Sequence, residues 1–266
     1  MTQYDSVGSL YLNVCELLFK QTELAIVERV IRPLLRPDDK IVEFACGTGF
    51  YTKRLLSWTA SPLTAMDISP VMLGIASQSL SREVASGRVR FTLGDGASKT
   101  SYAPDQSIGF FDRAFASWFL NYARSRSELV AMFATVALNL ADDGVLAAVM
   151  PHPTEDLAAR KSAYSQCPLD RTWPRLDYVQ ELGDGSGWTS RVHLENMSLE
   201  TTHMKKSVYE AAAREGGFRG KLEWRGEGLE ETGFGEKWIQ QFNLTAEEYR
   251  IQKENPMLGL LMVWKS

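Results

Sequence analysis

A chain of 266 residues with 44% hydrophobic content can bury one substantial core, as expected of a single α/β domain carrying an insertion. No apolar run approaches the ~18 residues of a membrane span, and a start with Asp5 and no basic-then-apolar block is not that of a secretory signal, so a cytoplasmic protein is expected. A net charge of −4 with interspersed signs offers no basic stripe for phosphates, which argues against a nucleic-acid partner.

Tyr11 to Leu35 carries Leu12, Val14, Leu18, Val27, Val30 and Leu34 at near-helical spacing, with Pro33 and Pro37 at its end, and predicts one or two helices. Cys15, Cys46 and Cys167 are too scattered for a disulfide framework or zinc knuckle and read as packing thiols. From Lys40 the texture alternates. Ile41 to Ala45 is a short apolar strand, Gly47-Thr48-Gly49 a turn and Tyr51 to Trp58 a helix. Strands at Leu63–Met66, Val89–Leu93, Gly109–Ala116 and Val145–Met150 follow, with helices at Pro70–Leu80 and Glu128–Leu140 and a turn at Asp142-Asp143-Gly144. This rhythm predicts a parallel sheet with ligands beyond the carboxyl ends of its strands.

After Met150 the rhythm breaks. Leu176–Glu181 and Trp188–Leu194 flank a glycine-rich turn as in a β-hairpin, so residues 151–203 are expected to be an insertion. A helix at Lys205–Glu215 and strands at Leu222–Arg225 and Leu258–Trp264 then resume the alternation.

The turn after the first strand lets backbone approach a ligand closely. A dinucleotide loop would have a third glycine where this chain has Thr52, and Glu43 suits an ammonium better than a pyrophosphate. Asp67, closing the second strand, is placed to accept from ribose hydroxyls, with Ser69 available to cap the next helix. Asp95, between Gly94 and Gly96, is placed to accept from an adenine amino group, the glycines leaving room for the ring.

Glu43-Phe44-Ala45-Cys46-Gly47-Thr48-Gly49, Met66 to Leu73 and Gly94-Asp95-Gly96 together resemble the class I S-adenosylmethionine (SAM) dependent methyltransferases, over roughly Ile41 to Met150. The resemblance implies a Rossmann-like seven-stranded sheet with a hairpin-containing lid insertion after the fifth strand. Its parts would be a helical lid over residues 1–39, a SAM-binding core over 40–150, a substrate lid over 151–203 and a completion of the sheet over 204–266. The cofactor would be SAM, with S-adenosylhomocysteine as product. Glu43 and the loop Ala45-Cys46-Gly47 through Gly49 would hold its methionine part, and Asp67 its ribose. Ile68 and Met72 would sandwich the adenine, Asp95 with Gly96 would mark its edge, and Ser117 would face the sulfonium. Tyr4 and Tyr11 would belong to a segment folding over the cofactor. Glu43 stands where aspartate is commoner and Ala45 replaces the first glycine of the family pattern.

Tyr4 to Gly8, Ser117 to Ala123 and Pro151-His152-Pro153 further resemble a small-molecule branch that includes toxoflavin-type, fungal secondary-metabolite and ubiquinone/menaquinone-related enzymes. The aromatic residues after Met150 suit a lid over an apolar or aromatic acceptor. Trp118, Asn121, His152, Trp173, Tyr178 and Trp188 are the candidate acceptor contacts, and His152, at the ligand edge of the sheet, is the candidate general base. No His spacing suits a metal. Rival readings are an NAD-dependent oxidoreductase, a SAM-binding protein catalysing a rearrangement without methyl transfer, and a protein or RNA methylase, for which Arg160, Lys161, Arg171, Arg175, Lys205 and Lys206 are too scattered.

Overall fold

A computed structural model describes residues 2–165, 174–194, 197–227 and 235–266. The candidate Trp173, with Cys167 and Arg171, lies outside the described residues. The strands in chain order are β1 (Ile41–Phe44), β2 (Leu63–Asp67), β3 (Val89–Leu93), β4 (Phe111–Ser117), β5 (Leu140–Pro151), β6 (Arg175–Glu181), β7 (Gly187–Leu194), β8 (Met197–Met204), β9 (Leu222–Glu227) and β10 (Leu258–Trp264). The helices are α1 (Gln3–Val7), α2 (Leu18–Val30), α3 (Phe50–Trp58), α4 (Pro70–Ser79), α5 (Ser81–Ala85), α6 (Arg126–Asn139), α7 (Leu157–Ser165), α8 (Lys206–Glu215), α9 (Gly235–Gln241) and α10 (Ala246–Glu254).

Seven strands form one sheet in the order β3-β2-β1-β4-β5-β10-β9. The interior strand β1 is buried at every position, because helices cover both faces and leave no solvent side for alternation to record. Val42 and Phe44 face a core closed by Leu129, Phe133 and Val136 of α6 and Ala212 of α8. Ile41 faces the other, closed by Leu18, Ile26 and Val27 of α2 and Leu55 of α3.

Two local expectations change. The sheet is parallel from β3 to β5, but β10 runs antiparallel to both β5 and β9, a pairing that needs no crossover helix. The turn expected after α6 is a bulge within β5. Leu140 pairs with Phe111 and the ladder resumes at Val145 with Arg113, while a Cβ on Gly144 would sit 2.8 Å from the Ala141 carbonyl oxygen.

The insertion contains the expected hairpin, β6 with β7, and a third strand, β8, paired antiparallel to β7. Its sequence, Ser198 to His203, is mostly polar and gives little strand signal. Partners on neighbouring strands satisfy it: Ser190 Oγ and Thr201 Oγ1 are 2.8 Å apart and buried. The N-terminal helices are α2 flanked by 3-10 turns at Gly8–Glu16 and Arg32–Leu34, with α1 ahead of them.

Candidate functional site

The loop after β1 takes three residues into the left-handed region, Ala45 (φ 55°), Gly47 (φ 54°) and Gly49 (φ 84°). A Cβ on Gly47 would meet nothing within 4 Å, so its backbone stands open to the cavity above. Asp67 ties this loop to the next. Its Oδ2 accepts from the Gly47 N–H at 2.8 Å and its Oδ1 from the Ser69 N–H at 2.9 Å. Burial raises the Asp67 pKa against these two bonds. Ser69 caps α4, its Oγ accepting from the Met72 N–H.

Above these corners lies a cavity of about 650 Å³, within the range of small-molecule sites. Ala45, Gly47, Asp67, Ile68, Met72, Asp95, Gly96 and Ser117 line it. Ile68 is 48% exposed, an apolar side chain presented to the cavity beside the buried Met72. With Asp67, Asp95, Glu128 and Glu200 against Arg124, the lining favours a cationic ligand.

The structure corrects four readings. Glu43 does not line the cavity. It is 2% exposed beneath the loop, where its Oε2 accepts from Thr52 Oγ1 at 2.6 Å, so the residue at the missing third glycine braces β1 to α3. Desolvation raises its pKa to about 8. Cys46 is buried in the core cluster that also holds Tyr51 and Leu73, and it does not line the cavity. Gly49 serves helix packing, since a Cβ there would sit 3.3 Å from both Ala76 Cβ and Leu80 Cδ1. Gly94 and Gly96 make room for protein rings: added Cβ atoms would lie 2.5 Å from the Tyr102 hydroxyl and 2.3 Å from Phe119 Cε2.

Tyr4 and Tyr11 line the same cavity and pack edge-on, at a centroid distance of 5.7 Å. Tyr4 packs at the same distance on Tyr122, and the Tyr4 and Tyr122 hydroxyls share a hydrogen bond. Two polar contacts hold α1 across the cavity. Ser69 Oγ donates to Asp5 Oδ1 at 2.6 Å, and Gln3 pairs with the backbone of Glu200 on β8 in both directions.

Sequence reading missed Glu23. It is 1% exposed on α2, and its carboxylate accepts from Lys20 Nζ (2.6 Å), Tyr51 Oη (2.7 Å), Ser117 Oγ (2.9 Å) and Trp118 Nε1 (2.7 Å). Trp118 has φ 54°, a strained conformation for a bulky residue. The indole bond to Glu23 and the backbone bond from Trp118 N–H to Val149 O hold it there. Only the Lys20 to Glu23 spacing hints at this in sequence, and such pairs are usually surface ion pairs.

A second cavity, about 70 Å³, adjoins the first, sharing Tyr11, Trp118, Tyr122 and Thr201 with it. Phe19, Leu176, Val192, Leu199 and Met257 give it an apolar wall, and Asn121 lines it. His203 replaces His152 there. Its Nε2–H donates to the His152 carbonyl at 3.1 Å, so its Nδ1 accepts from the Tyr178 hydroxyl at 2.6 Å. Burial lowers the His203 pKa to about 3 and that of His152 to about 4. The candidate base His152 lines neither cavity and contributes its carbonyl. Tyr178 and Trp188 stand behind the wall, packed edge-on on each other.

SAM fits this arrangement: an acidic cavity for a cation, a carboxylate with lone pairs to spare, an open loop backbone and an exposed apolar platform. Among the described residues no cluster of side chains could hold a metal, and no helix is long and apolar enough to cross a membrane.

No curated protein sequence matches the chain. A family model described as a methyltransferase domain matches residues 41–144. Among solved structures the chain resembles a protein from Pyrococcus horikoshii, with TM-score 0.62 at 13% identity over 92% of this chain and 91% of that one. It also resembles the geranyl diphosphate C-methyltransferase of Streptomyces coelicolor, solved with S-adenosyl-L-homocysteine, with TM-score 0.56 at 11% identity over 92% and 79%. The [4+2]-cyclase SpnF gives 0.52 at 18% identity over 93% and 80%. These likenesses establish a shared fold, and the matched domain sets the NAD reading aside. Residues 41–144, which supply Ala45, Gly47, Asp67, Asp95 and Ser117 to the described cavity, form a methyltransferase domain for which SAM is the cofactor.

Proposed function

We propose that the enzyme transfers the SAM methyl group to an oxygen, nitrogen or carbon atom of a small, largely apolar or aromatic metabolite of natural-product type. One observation carries this reading: an acidic cavity and an apolar one meet across a shared wall of Tyr11, Trp118 and Tyr122. The donor side would use Ala45 and Gly47 backbone, Asp67, the Ile68–Met72 platform and the Asp95–Gly96 corner; the acceptor side would use Trp118 and Asn121.

Bound SAM supplies an electrophilic methyl on a sulfonium, leaving the protein to align a nucleophile, exclude water and desolvate the reacting atoms. Trp118, fixed by Glu23, would set the line of approach, and the Tyr4–Tyr11–Tyr122 cluster would shut out water. Among the described residues, neither His152 nor His203 offers a free lone pair to a cavity, which favours an acceptor atom that is nucleophilic without a histidine base. Residues 1–39 would act as a lid, residues 151–203 as the acceptor lid, and residues 204–266 as the completion of the core sheet.

Calorimetric titration with SAM, and detection of S-adenosylhomocysteine on incubation with apolar and aromatic small molecules, tests the reading. SAM binding is expected, with turnover confined to such acceptors; no binding would refute it. The likeness to a cyclase favours one second reading, a cyclisation on the same scaffold. Conversion of an acceptor without S-adenosylhomocysteine formation would select it. Removing residues 1–11 is expected to weaken SAM binding, and unchanged affinity would exclude a lid role for α1.

A further inference from the structure

The sheet formed by β6, β7 and β8 has two faces. Leu176, Val192 and Leu199 wall the apolar cavity, so their neighbours Asp177, His193 and Ser198 turn to the opposite face, where all three reach solvent. There they are joined in one line. Ser198 Oγ lies 2.9 Å from His193 Nδ1, and His193 Nε2 lies 2.8 Å from Asp177 Oδ2. Ser198 on β8 stands directly opposite His193 on β7, and Asp177 reaches the ring diagonally from β6. A carboxylate only accepts, so in the neutral imidazole the proton sits on Nε2 and the Nδ1 lone pair receives the Ser198 hydroxyl. Arg175 Nη2 also approaches Asp177 Oδ2, at 3.5 Å.

Stability does not require this line. On a face open to water each group could be solvated instead, and exposed charge pairs add little. What the line supplies is the arrangement that activates a nucleophilic hydroxyl: a base within hydrogen-bond reach and a third group orienting that base. The backbone adds a donor. Glu200 gives its N–H and its C=O to the Gln3 side chain, away from β7. Two residues earlier on the same strand, Ser198 turns its N–H the same way, to the outer edge of β8. There it can donate to an oxygen gaining charge beside its own Oγ.

We propose that Ser198 is an acylation site, its hydroxyl activated by His193 with Asp177 as the positioning residue, and that it takes a small acyl group from an activated ester or thioester. The site is separate from both cavities and independent of methyl transfer. In the step, a bond forms between Ser198 Oγ and the acyl carbon as the bond from that carbon to the leaving group breaks. His193 Nδ1 takes the hydroxyl proton and hands it to the departing aryloxide or thiolate, leaving a neutral serine ester. Because the three side chains stand on an open face, selection rests on the reactivity of the donor rather than on enclosure of its acyl chain.

Incubation of the full chain with 4-nitrophenyl acetate, with acetyl groups located by peptide mass spectrometry, tests this; lysine acetylation in the same sample is the internal reference. Ser198 is expected to be acetylated about tenfold faster than the other exposed serines, at the low end for a positioned general base. His193→Gln should remove that advantage. Asp177→Asn, which keeps an acceptor for the ring N–H but loses the charge, should lower it several-fold, with lysine labelling unchanged in both variants. Ser198 acetylated no faster than the other exposed serines, or at the wild-type rate in either variant, would overturn the proposal. If His193→Gln does not fold, as read by circular dichroism, Asp177→Asn and the wild-type ranking decide.

Discussion

Glu43 gives the structure its most direct pH signature. Its carboxyl is buried beneath the glycine loop with one hydrogen bond, from Thr52, and desolvation raises its pKa to about 8 from the ordinary 4.5. A native state that keeps a proton the unfolded chain has released loses stability as pH rises. The loss therefore begins near pH 4.5 and is complete above about pH 8. At about 1.4 kcal/mol per pH unit, this window corresponds to a loss on the order of 5 kcal/mol. Glu43→Gln keeps an acceptor for Thr52 and cannot ionise, so it should remove this slope. Urea unfolding without cofactor at pH 5, 7 and 9 is the assay. The variant is expected to match wild type within about 1 kcal/mol at pH 5 and to be the more stable by several kcal/mol at pH 9. Parallel stability curves, or a variant less stable than wild type at pH 9, would refute the assignment of a buried protonated carboxyl.

Ala45 occupies a left-handed conformation that glycine adopts freely; Ala45→Gly is expected to raise stability by about 0.5–1 kcal/mol in chemical denaturation, strain relief exceeding the added unfolded-chain entropy. Gly96→Ala would drive a methyl group into Phe119, costing about 1–3 kcal/mol of stability and weakening SAM binding by calorimetry as the ring shifts. Glu23→Ala leaves Lys20 buried without its counter-ion and should cost about 3–5 kcal/mol in the same unfolding assay, with Glu23→Gln milder. Intrinsic fluorescence should report the release of Trp118 in both variants.

The opening strand, the loop after it and the acidic residue ending the second strand were legible in sequence because each is encoded over a few neighbouring residues. An apolar run buried on both faces, a turn needing φ above zero and a carboxylate at a strand end are local patterns, and Leu258–Trp264 was read to its exact bounds for the same reason. The antiparallel direction of that strand was not legible, since direction belongs to the return path of the chain. Nor was β8, whose polar residues become strand only through partners on β7 and β6.

At the site, sequence determined which segments converge, and tertiary structure decided which atoms face the ligand. Glu43 and Asp67 are both acidic residues on adjacent strands, yet one is turned under the loop to Thr52 and the other lines the cavity, because the pleat and the helices above assign their faces. Gly49 looks like a ligand glycine but yields space to Ala76 and Leu80, while Gly96 both lines the cavity and yields space to Phe119, demands set by helix and ring packing. Glu23 collects donors from α2, α3 and the end of β4, and His152 contributes only a carbonyl to a histidine 51 residues away. Contacts of that kind depend on non-local packing, which periodicity and motif spacing do not record.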